Sequence, residues 1–339
     1  MTNLRKILFP FSILYDGVTF LRNKLFETGI LKSTKFDIPI IVVGNLSVGG
    51  TGKTPQIEYL IRLLKEDYNI AVLSRGYKRK TKGFLLADES VTVTQLGDEP
   101  FQYYSKFNEI IVAVCEDRVN GINQLKKIQN PPEIILLDDA FQHRKVNSEF
   151  NILLTPYNDL YVDDLILPAG NLRESSRGAK RANIVVVTKC PKDLSAVKRR
   201  KIKERLKLKE GQYLFFTTIN YSNQITSESG LLSLEELKKY EILLVTGIAN
   251  PKPLVEFLKS KDLNIKHLKF SDHHDFSQGE VVEIKSQFDK ISIKDKVILT
   301  TEKDYVRLKN QLKINFLEIE VAFIKDGEEF DEMIKNYVE

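Results

Sequence analysis

Ile40-Ile41-Val42-Val43-Gly44-Asn45-Leu46-Ser47-Val48-Gly49-Gly50-Thr51-Gly52-Lys53-Thr54-Pro55 decides how the rest of the chain is read. An apolar, β-branched run enters a glycine-rich turn, which ends in Gly-Lys-Thr at the head of an amphipathic segment. A phosphate-binding loop needs that order: buried strand, loop with free backbone N–H groups, helix N-terminus. Gly49, Gly50 and Gly52 let the backbone curl around phosphate oxygens without Cβ clashes. The nucleotide-binding residues are therefore expected to be Ser47, Val48, Gly49, Gly50, Thr51, Gly52, Lys53 and Thr54. Lys53 is placed to reach the β- and γ-phosphates, and the Thr54 hydroxyl to ligate Mg²⁺. Pro55 suits a first helical turn, where no N–H partner is lost. One position departs from the usual pattern: Ser47 stands where the first glycine is expected.

A chain of 339 residues can bury a large core and is expected to form two domains. Its composition is that of an ordinary soluble protein. The net charge of +5 suits an anionic substrate or surface but does not indicate a nucleic-acid binder. Cys115 and Cys190 are the only cysteines and lie far apart, which argues against structural zinc or a disulfide framework.

Near the N-terminus the uncharged run Ile7 to Tyr15 contains Pro10 and is followed at once by Asp16. It has no small-residue cleavage site and is too short to span a bilayer. Phe11, Leu14, Tyr15, Val18, Leu21 and Leu25 recur at helical spacing, with Arg5, Lys6, Arg22, Lys24, Lys32 and Lys35 around them. Such a helix either lies in the headgroup layer of an anionic membrane or packs on the protein's own core.

Past the loop, Gln56 to Lys65 reads as a helix and Ile70 to Leu73 as a strand. The strand runs into the basic segment Arg75-Gly76-Tyr77, where open α/β sheets bind ligands. Gly97-Asp98-Glu99-Pro100 opens a helix, and an acidic pair there is commonly a cap. Arg118 lies just past another strand end. Glu133-Ile134-Ile135-Leu136-Leu137-Asp138-Asp139 is a buried strand ending in carboxylates, the second half of a P-loop site, where an Asp holds Mg²⁺. Arg173 and Glu174 read either as a phosphate contact and a metal-shell carboxylate or as a surface ion pair. Lys198 to Lys209 reads as a solvated charged helix and Ser222 to Ser229 as a polar linker. From Glu241 strands and helices alternate again, which implies a small parallel α/β unit. Its turn Asp272-His273-His274 holds two of the four histidines; adjacent side chains diverge, so a lone metal site is not expected there.

The fold class expected from these patterns is α/β, with a P-loop NTPase-type, mostly parallel sheet flanked by helices. The divisions are an N-terminal amphipathic helix (1–35), a P-loop domain (36–220), a smaller α/β domain (221–320) and a C-terminal helix (321–339).

Taken in order, these segments resemble one family, the tetraacyldisaccharide 4′-kinases (lipid A 4′-kinases) of Gram-negative bacteria. The resemblance is carried by the loop from Val43 to Pro55, Ser74-Arg75-Gly76-Tyr77, Gly97-Asp98-Glu99-Pro100 and Asp138-Asp139-Ala140-Phe141-Gln142-His143. It continues through Leu167-Pro168-Ala169-Gly170, Arg173-Glu174, Gly247-Ile248-Ala249-Asn250-Pro251, Asp272-His273-His274 and Thr301-Glu302-Lys303-Asp304. Ser47 is then no departure, while Ala140 stands where many members have Gly. The resemblance implies transfer of the ATP γ-phosphoryl group to the 4′-hydroxyl of an acylated disaccharide 1-phosphate, with Mg²⁺, on the cytoplasmic face of the inner membrane. It implies an Asp98–His273 catalytic dyad and no obligate protein partner. Phosphate or substrate contacts would come from Arg75, Gly76, Tyr77, Arg118 and Arg173, and metal ligands from Thr54, Asp138, Asp139 and Glu174. A membrane-associated ATPase of the positioning type is the alternative, but the Lys such proteins carry beside the loop is replaced by Ser47 and Val48. A GTPase would want an Asp two residues after Lys189, and none is there.

Overall fold

The computed structural model describes residues 3–227 and 230–339. A short 3₁₀ turn leads into α1 (Phe9–Glu27), after which the chain enters β1 (Ile40–Asn45), α2 (Lys53–Leu64), β2 (Ile70–Ser74) and β3 (Leu85–Leu86). Next come α3 (Val93–Leu96), α4 (Asp98–Lys106), β4 (Ile111–Val114), α5 (Arg118–Leu125), β5 (Ile134–Asp138) and β6 (Phe150–Pro156). Then follow β7 (Ile184–Thr188), α6 (Ala196–Leu206), β8 (Tyr213–Ser227), β9 (Gly230–Ser233), β10 (Glu241–Thr246) and α7 (Lys252–Ser260). The chain ends with β11 (Asn264–Lys269), α8 (Gln278–Asp289), β12 (Lys296–Thr301), α9 (Glu302–Leu308), β13 (Asn315–Phe323) and α10 (Gly327–Val338).

The strands form one sheet in the order β11-β10-β12-β13-β8-β7-β6-β1-β5-β2-β4-β3, with β9 paired to β8. It is mostly parallel, and β1 lies between β5 and β6, so Val43 sits beside Asp138. Strands β1, β2, β5 and β7 are buried on both faces, as their unbroken apolar runs require. One face packs on a core including Ile122, Phe141 and Leu172, the other on a core including Ile57, Leu60 and Tyr103.

Two expectations change here. The polar stretch from Ser222 is no linker: residues 222–227 continue β8, with 228–229 outside the described residues. Strand β8 pairs in parallel with β7 through its first residues and antiparallel with β13 beyond them, so it carries the sheet into the C-terminal half. Residues 321–323 belong to β13 rather than to the last helix. That helix, α10, returns to the first half and buries Phe330, Ile334 and Val338 beside Ile57 and Leu60. In β13 Leu317-Glu318-Ile319-Glu320-Val321 alternates, with Leu317 and Val321 buried and Glu320 exposed.

Candidate active site

The loop after β1 is held by its carbonyl groups. Thr188 donates its hydroxyl to the Thr51 carbonyl at 2.7 Å, Lys189 Nζ to that of Gly50 at 2.5 Å, and the Arg173 amide to that of Leu46 at 2.7 Å. Among the described residues the amides of Gly49, Gly50, Thr51 and Gly52 have no protein acceptor, so the loop presents donors to an anion. Gly52 turns at φ +92° immediately before α2, a left-handed conformation that favours glycine. Gly44 is fixed by packing: a Cβ there would meet the Phe141 Cβ at 2.6 Å.

Lys53 begins α2, with Nζ 3.4 Å from Asn45 Oδ1 and 3.6 Å from Asp139 Oδ1. Asp138 closes β5 beside it. Its Oδ2 accepts from the Ser74 hydroxyl at 3.3 Å, while its buried Oδ1 has no partner. Burial, with the adjacent Asp139 charge, pushes the Asp138 carboxyl up to about 7. Asp139 adopts φ +48° and takes both its oxygens to Arg173 Nη1, at 2.9 and 3.0 Å. Burial raises its carboxyl, but Lys53 and Arg173 outweigh that and hold it below the usual range. The donor set of Thr54 hydroxyl and orphaned Asp138 oxygen is hard and all-oxygen, which fits Mg²⁺ completed by phosphate oxygens and water.

A second constellation is assembled from opposite halves of the chain. Asp98 is the first residue of α4 and is buried. Its Oδ2 lies 3.3 Å from His273 Nδ1, and Arg307 donates Nε to Oδ1 at 2.8 Å and Nη2 to Oδ2. Burial raises the Asp98 carboxyl, yet the hydrogen bonds from His273 and Arg307, with the Arg307 charge, prevail and hold it below its ordinary value. Lys303 Nζ is 2.9 Å from His273 Nε2. An ammonium can only donate, so Nε2 is the acceptor and Nδ1 carries the proton directed at Asp98.

The turn bearing His273 is braced from α9. Asp304 accepts from the Gly247 amide at 2.8 Å and from the Thr301 hydroxyl at 2.8 Å, and Gly247 in turn accepts the His273 amide at 3.1 Å. His273 sits at φ +54° with the exposed Tyr77 ring edge-on at 5.6 Å. His274 diverges, as adjacent side chains must, and lies 2.8 Å from Glu280. Among the described residues no group of three His, Cys, Asp or Glu side chains is placed to hold a metal.

Two of the expected site residues are engaged by other protein groups. Arg118 is buried, donating to the carbonyls of Cys115 at 2.8 Å and Asp138 at 3.3 Å. It braces the two strand ends instead of facing an open phosphate site, and burial lowers its guanidinium to about 10. Glu174, expected as a metal-shell carboxylate, is held by Arg181, which donates to both its oxygens at 2.7 and 3.0 Å, and by Asn23 and Gln142. Arg75 and Tyr77 are exposed on the strand-end loop, whereas Gly76 is buried with its Cα packed against Gly97. His143 is a turn residue accepting the Arg118 amide at 3.3 Å. Arg307 carries no local signal in the sequence: it lies one turn beyond Asp304 on α9, the helix that Thr301 caps.

Helix α1 rests on this region by its polar side. Ser12, its sole buried residue among those described, donates to the Ile166 carbonyl at 3.0 Å and accepts from the Ala169 amide at 2.9 Å. Tyr15 donates to the Arg173 carbonyl at 3.1 Å and Asn23 to Glu174 at 2.8 Å. Phe11, Leu14, Val18 and Leu21 are 59–69% exposed, so the apolar stripe does not pack on the core. No helix of the structure is long and apolar enough to cross a membrane, the masked residues aside.

A family model described as tetraacyldisaccharide-1-P 4′-kinase matches residues 4–339. Proteins named tetraacyldisaccharide 4′-kinase are similar along the whole chain. One from Flavobacterium johnsoniae is 54% identical, covering 100% of this chain and 98% of its own, and one from Phocaeicola vulgatus is 48% identical, covering 100% and 96%. A crystal structure of LpxK from Aquifex aeolicus in complex with ATP superposes with a TM-score of 0.79 at 32% identity, over 99% of this chain and 100% of that one.

Proposed function

The chain belongs to the tetraacyldisaccharide-1-P 4′-kinase family, and we propose that it transfers the γ-phosphoryl group of ATP to the 4′-hydroxyl of a tetraacyl disaccharide 1-phosphate through an Asp98–His273 dyad. As a member it is an ATP-dependent kinase of the lipid A precursor. The observation that carries the proposed mechanism is the meeting of Asp98, at the start of α4, and His273, 175 positions later in the turn after β11.

The acceptor hydroxyl is a poor nucleophile. As its oxygen bonds to the γ-phosphorus, its proton passes to Asp98 and the bridging P–O bond breaks, releasing ADP. The His273 Nδ1–H holds the Asp98 carboxylate in place, and Lys303 fixes the ring's tautomer. Lys53 neutralises charge on the transferring group, and Arg173, here paired with Asp139, is a further cation for the same task. A Mg²⁺ ion, for which Thr54 and Asp138 are the proposed protein ligands, supplies further charge neutralisation at the β- and γ-phosphates. The test is incubation with γ-labelled ATP, Mg²⁺ and the tetraacyl disaccharide 1-phosphate, then chromatography of the lipid. Label in a bisphosphorylated lipid is expected; label only in inorganic phosphate overturns the reading.

The exposed stripe of α1, rimmed by Arg22, Lys24, Lys32 and Lys35, suits an anionic bilayer, here the cytoplasmic face of the inner membrane. Substituting Leu14, Val18 and Leu21 by Glu removes three apolar side chains, each contributing about 1.5–3 kcal/mol when buried. Partitioning into phosphatidylglycerol vesicles should then weaken by at least about 100-fold, with ATP binding unchanged because these side chains touch no core. Equal sedimentation with vesicles would remove the membrane role from this helix.

A further inference from the structure

The three helices that present the reacting groups also meet away from the cleft. Helix α2 bears Lys53 and Thr54, α4 begins at Asp98, and α9 bears Lys303 and Arg307. Glu58 of α2, Lys106 in the last turn of α4 and Glu302 at the start of α9 form a buried charge cluster. Lys106 Nζ lies 2.9 Å from Glu58 Oε2 and 2.5 Å from Glu302 Oε1. The second oxygens are also taken: Gln102 of α4 donates to Glu58 Oε1 at 2.8 Å, and the Ile319 amide of β13 to Glu302 Oε2 at 3.3 Å. Arg62, 3.3 Å from Glu58, and Glu318, 3.8 Å from Lys106, stand at the rim. Glu58 is 1% exposed and Glu302 8%, so the bridge lies out of water.

Two carboxylates sharing one ammonium do not explain themselves as stabilisers, because a buried ion cluster seldom outperforms an apolar packing of the same volume. What it offers is direction: a short, fully hydrogen-bonded bridge fixes the register of three helices as apolar side chains do not. Burial, then the Glu58 charge, pushes the Glu302 carboxyl up against the pull of Lys106.

We propose that Lys106 is a positioning residue for phosphoryl transfer, bridging Glu58 and Glu302 so that the donor-holding end of α2 and the Asp98 and Arg307 ends of α4 and α9 keep one spacing. The inference rests on the kinase reading above. A misplacement of about 1 Å between reacting groups costs on the order of 100-fold in rate.

Lys106→Met, Lys106→Arg and the triple variant Glu58→Gln/Lys106→Met/Glu302→Gln test it in the full-length protein. The measurements are lipid-phosphorylation kcat, Kd for ATP and Tm. Lys106→Met is expected to lose about 10–100-fold in kcat with Kd for ATP within about threefold, and Lys106→Arg, which can still bridge two carboxylates, to keep most of it. The triple variant leaves no unpaired buried charge, so Tm should return while kcat stays low. It also decides the question if Lys106→Met alone folds poorly. Recovery of kcat together with Tm, or a normal kcat in Lys106→Met, overturns the inference. Absence of lipid phosphorylation by the unaltered chain would instead overturn the kinase reading, and this inference with it.

Discussion

Asp98→Asn lowers kcat for phosphate transfer by roughly a thousandfold, within the usual range for losing a general base, and leaves ATP affinity within about threefold. Asn is isosteric, and with its single oxygen in the Oδ2 position it still accepts from the His273 Nδ1–H and Arg307 Nη2, losing the Arg307 Nε bond to Oδ1. What disappears is the ability to take a proton. Lys53 and the phosphate loop make no hydrogen bond with Asp98, which is why ground-state ATP binding should not follow kcat. His273→Ala should fall by a similar factor. The double variant should then cost little more than either alone, because the residues act as one unit. Near-normal turnover in Asp98→Asn with ATP affinity intact would end the dyad reading.

Arg307 gives this prediction a pH dependence. Burial raises the Asp98 carboxyl, while His273 and Arg307 together bring it below its ordinary value. Arg307→Met removes one of those two, so the Asp98 value rises and the acid limb of the kcat/KM profile moves to higher pH. The sign for stability follows from the same shift. A depressed carboxylate contributes stability that is present above its unfolded value and lost as pH falls through its folded one. Removing Arg307 therefore lowers stability at neutral pH and narrows the acid loss. An acid limb that stays in place, or moves to lower pH, would show that Arg307 does not set the Asp98 charge.

How far the sequence speaks depends on whether a contact is local. The phosphate loop is local: strand, glycines, Lys53 and Thr54 are consecutive, and burial of β1 follows from its apolar run. The same holds for β5 ending at Asp138, since a strand buried on both faces has a composition of its own. The surroundings of Glu174 and Arg118 are not local. Each lies beside residues at the cleft, but its partners, Arg181 and Asn23 for one, backbone carbonyls for the other, are set by tertiary packing. Arg307 and the Glu58–Lys106–Glu302 bridge were invisible because charged residues on helices read as solvated faces until a third element covers them. The α1 stripe was legible as a stripe yet ambiguous in direction. Only the burial of Ser12, rather than Leu14 or Val18, says which side faces the protein.

Lys53→Met should fail differently from Asp98→Asn, and the difference separates the donor site from the acceptor site. Lys53 is proposed to meet the β- and γ-phosphates in the ground state as well as in the transition state, so both ATP affinity and kcat should fall. Removing one preorganised donor costs about 100–1,000-fold in kcat, and the loss of a charge-assisted contact weakens ATP binding by roughly tenfold or more. A second consequence comes from the carboxylates. Lys53 lies 3.6 Å from Asp139 and its charge also favours ionised Asp138. Without it the two adjacent aspartates repel with only Arg173 and the buried Arg118 to offset them, and Asp138 ionises less readily. The Mg²⁺ concentration for half-maximal activity should therefore rise in Lys53→Met and stay unchanged in Asp98→Asn. Titrating Mg²⁺ against both variants at saturating ATP separates these outcomes. An equal Mg²⁺ requirement in the two would mean that Lys53 does not tune the Asp138–Asp139 pair, and an unchanged ATP affinity would remove it from the phosphate site.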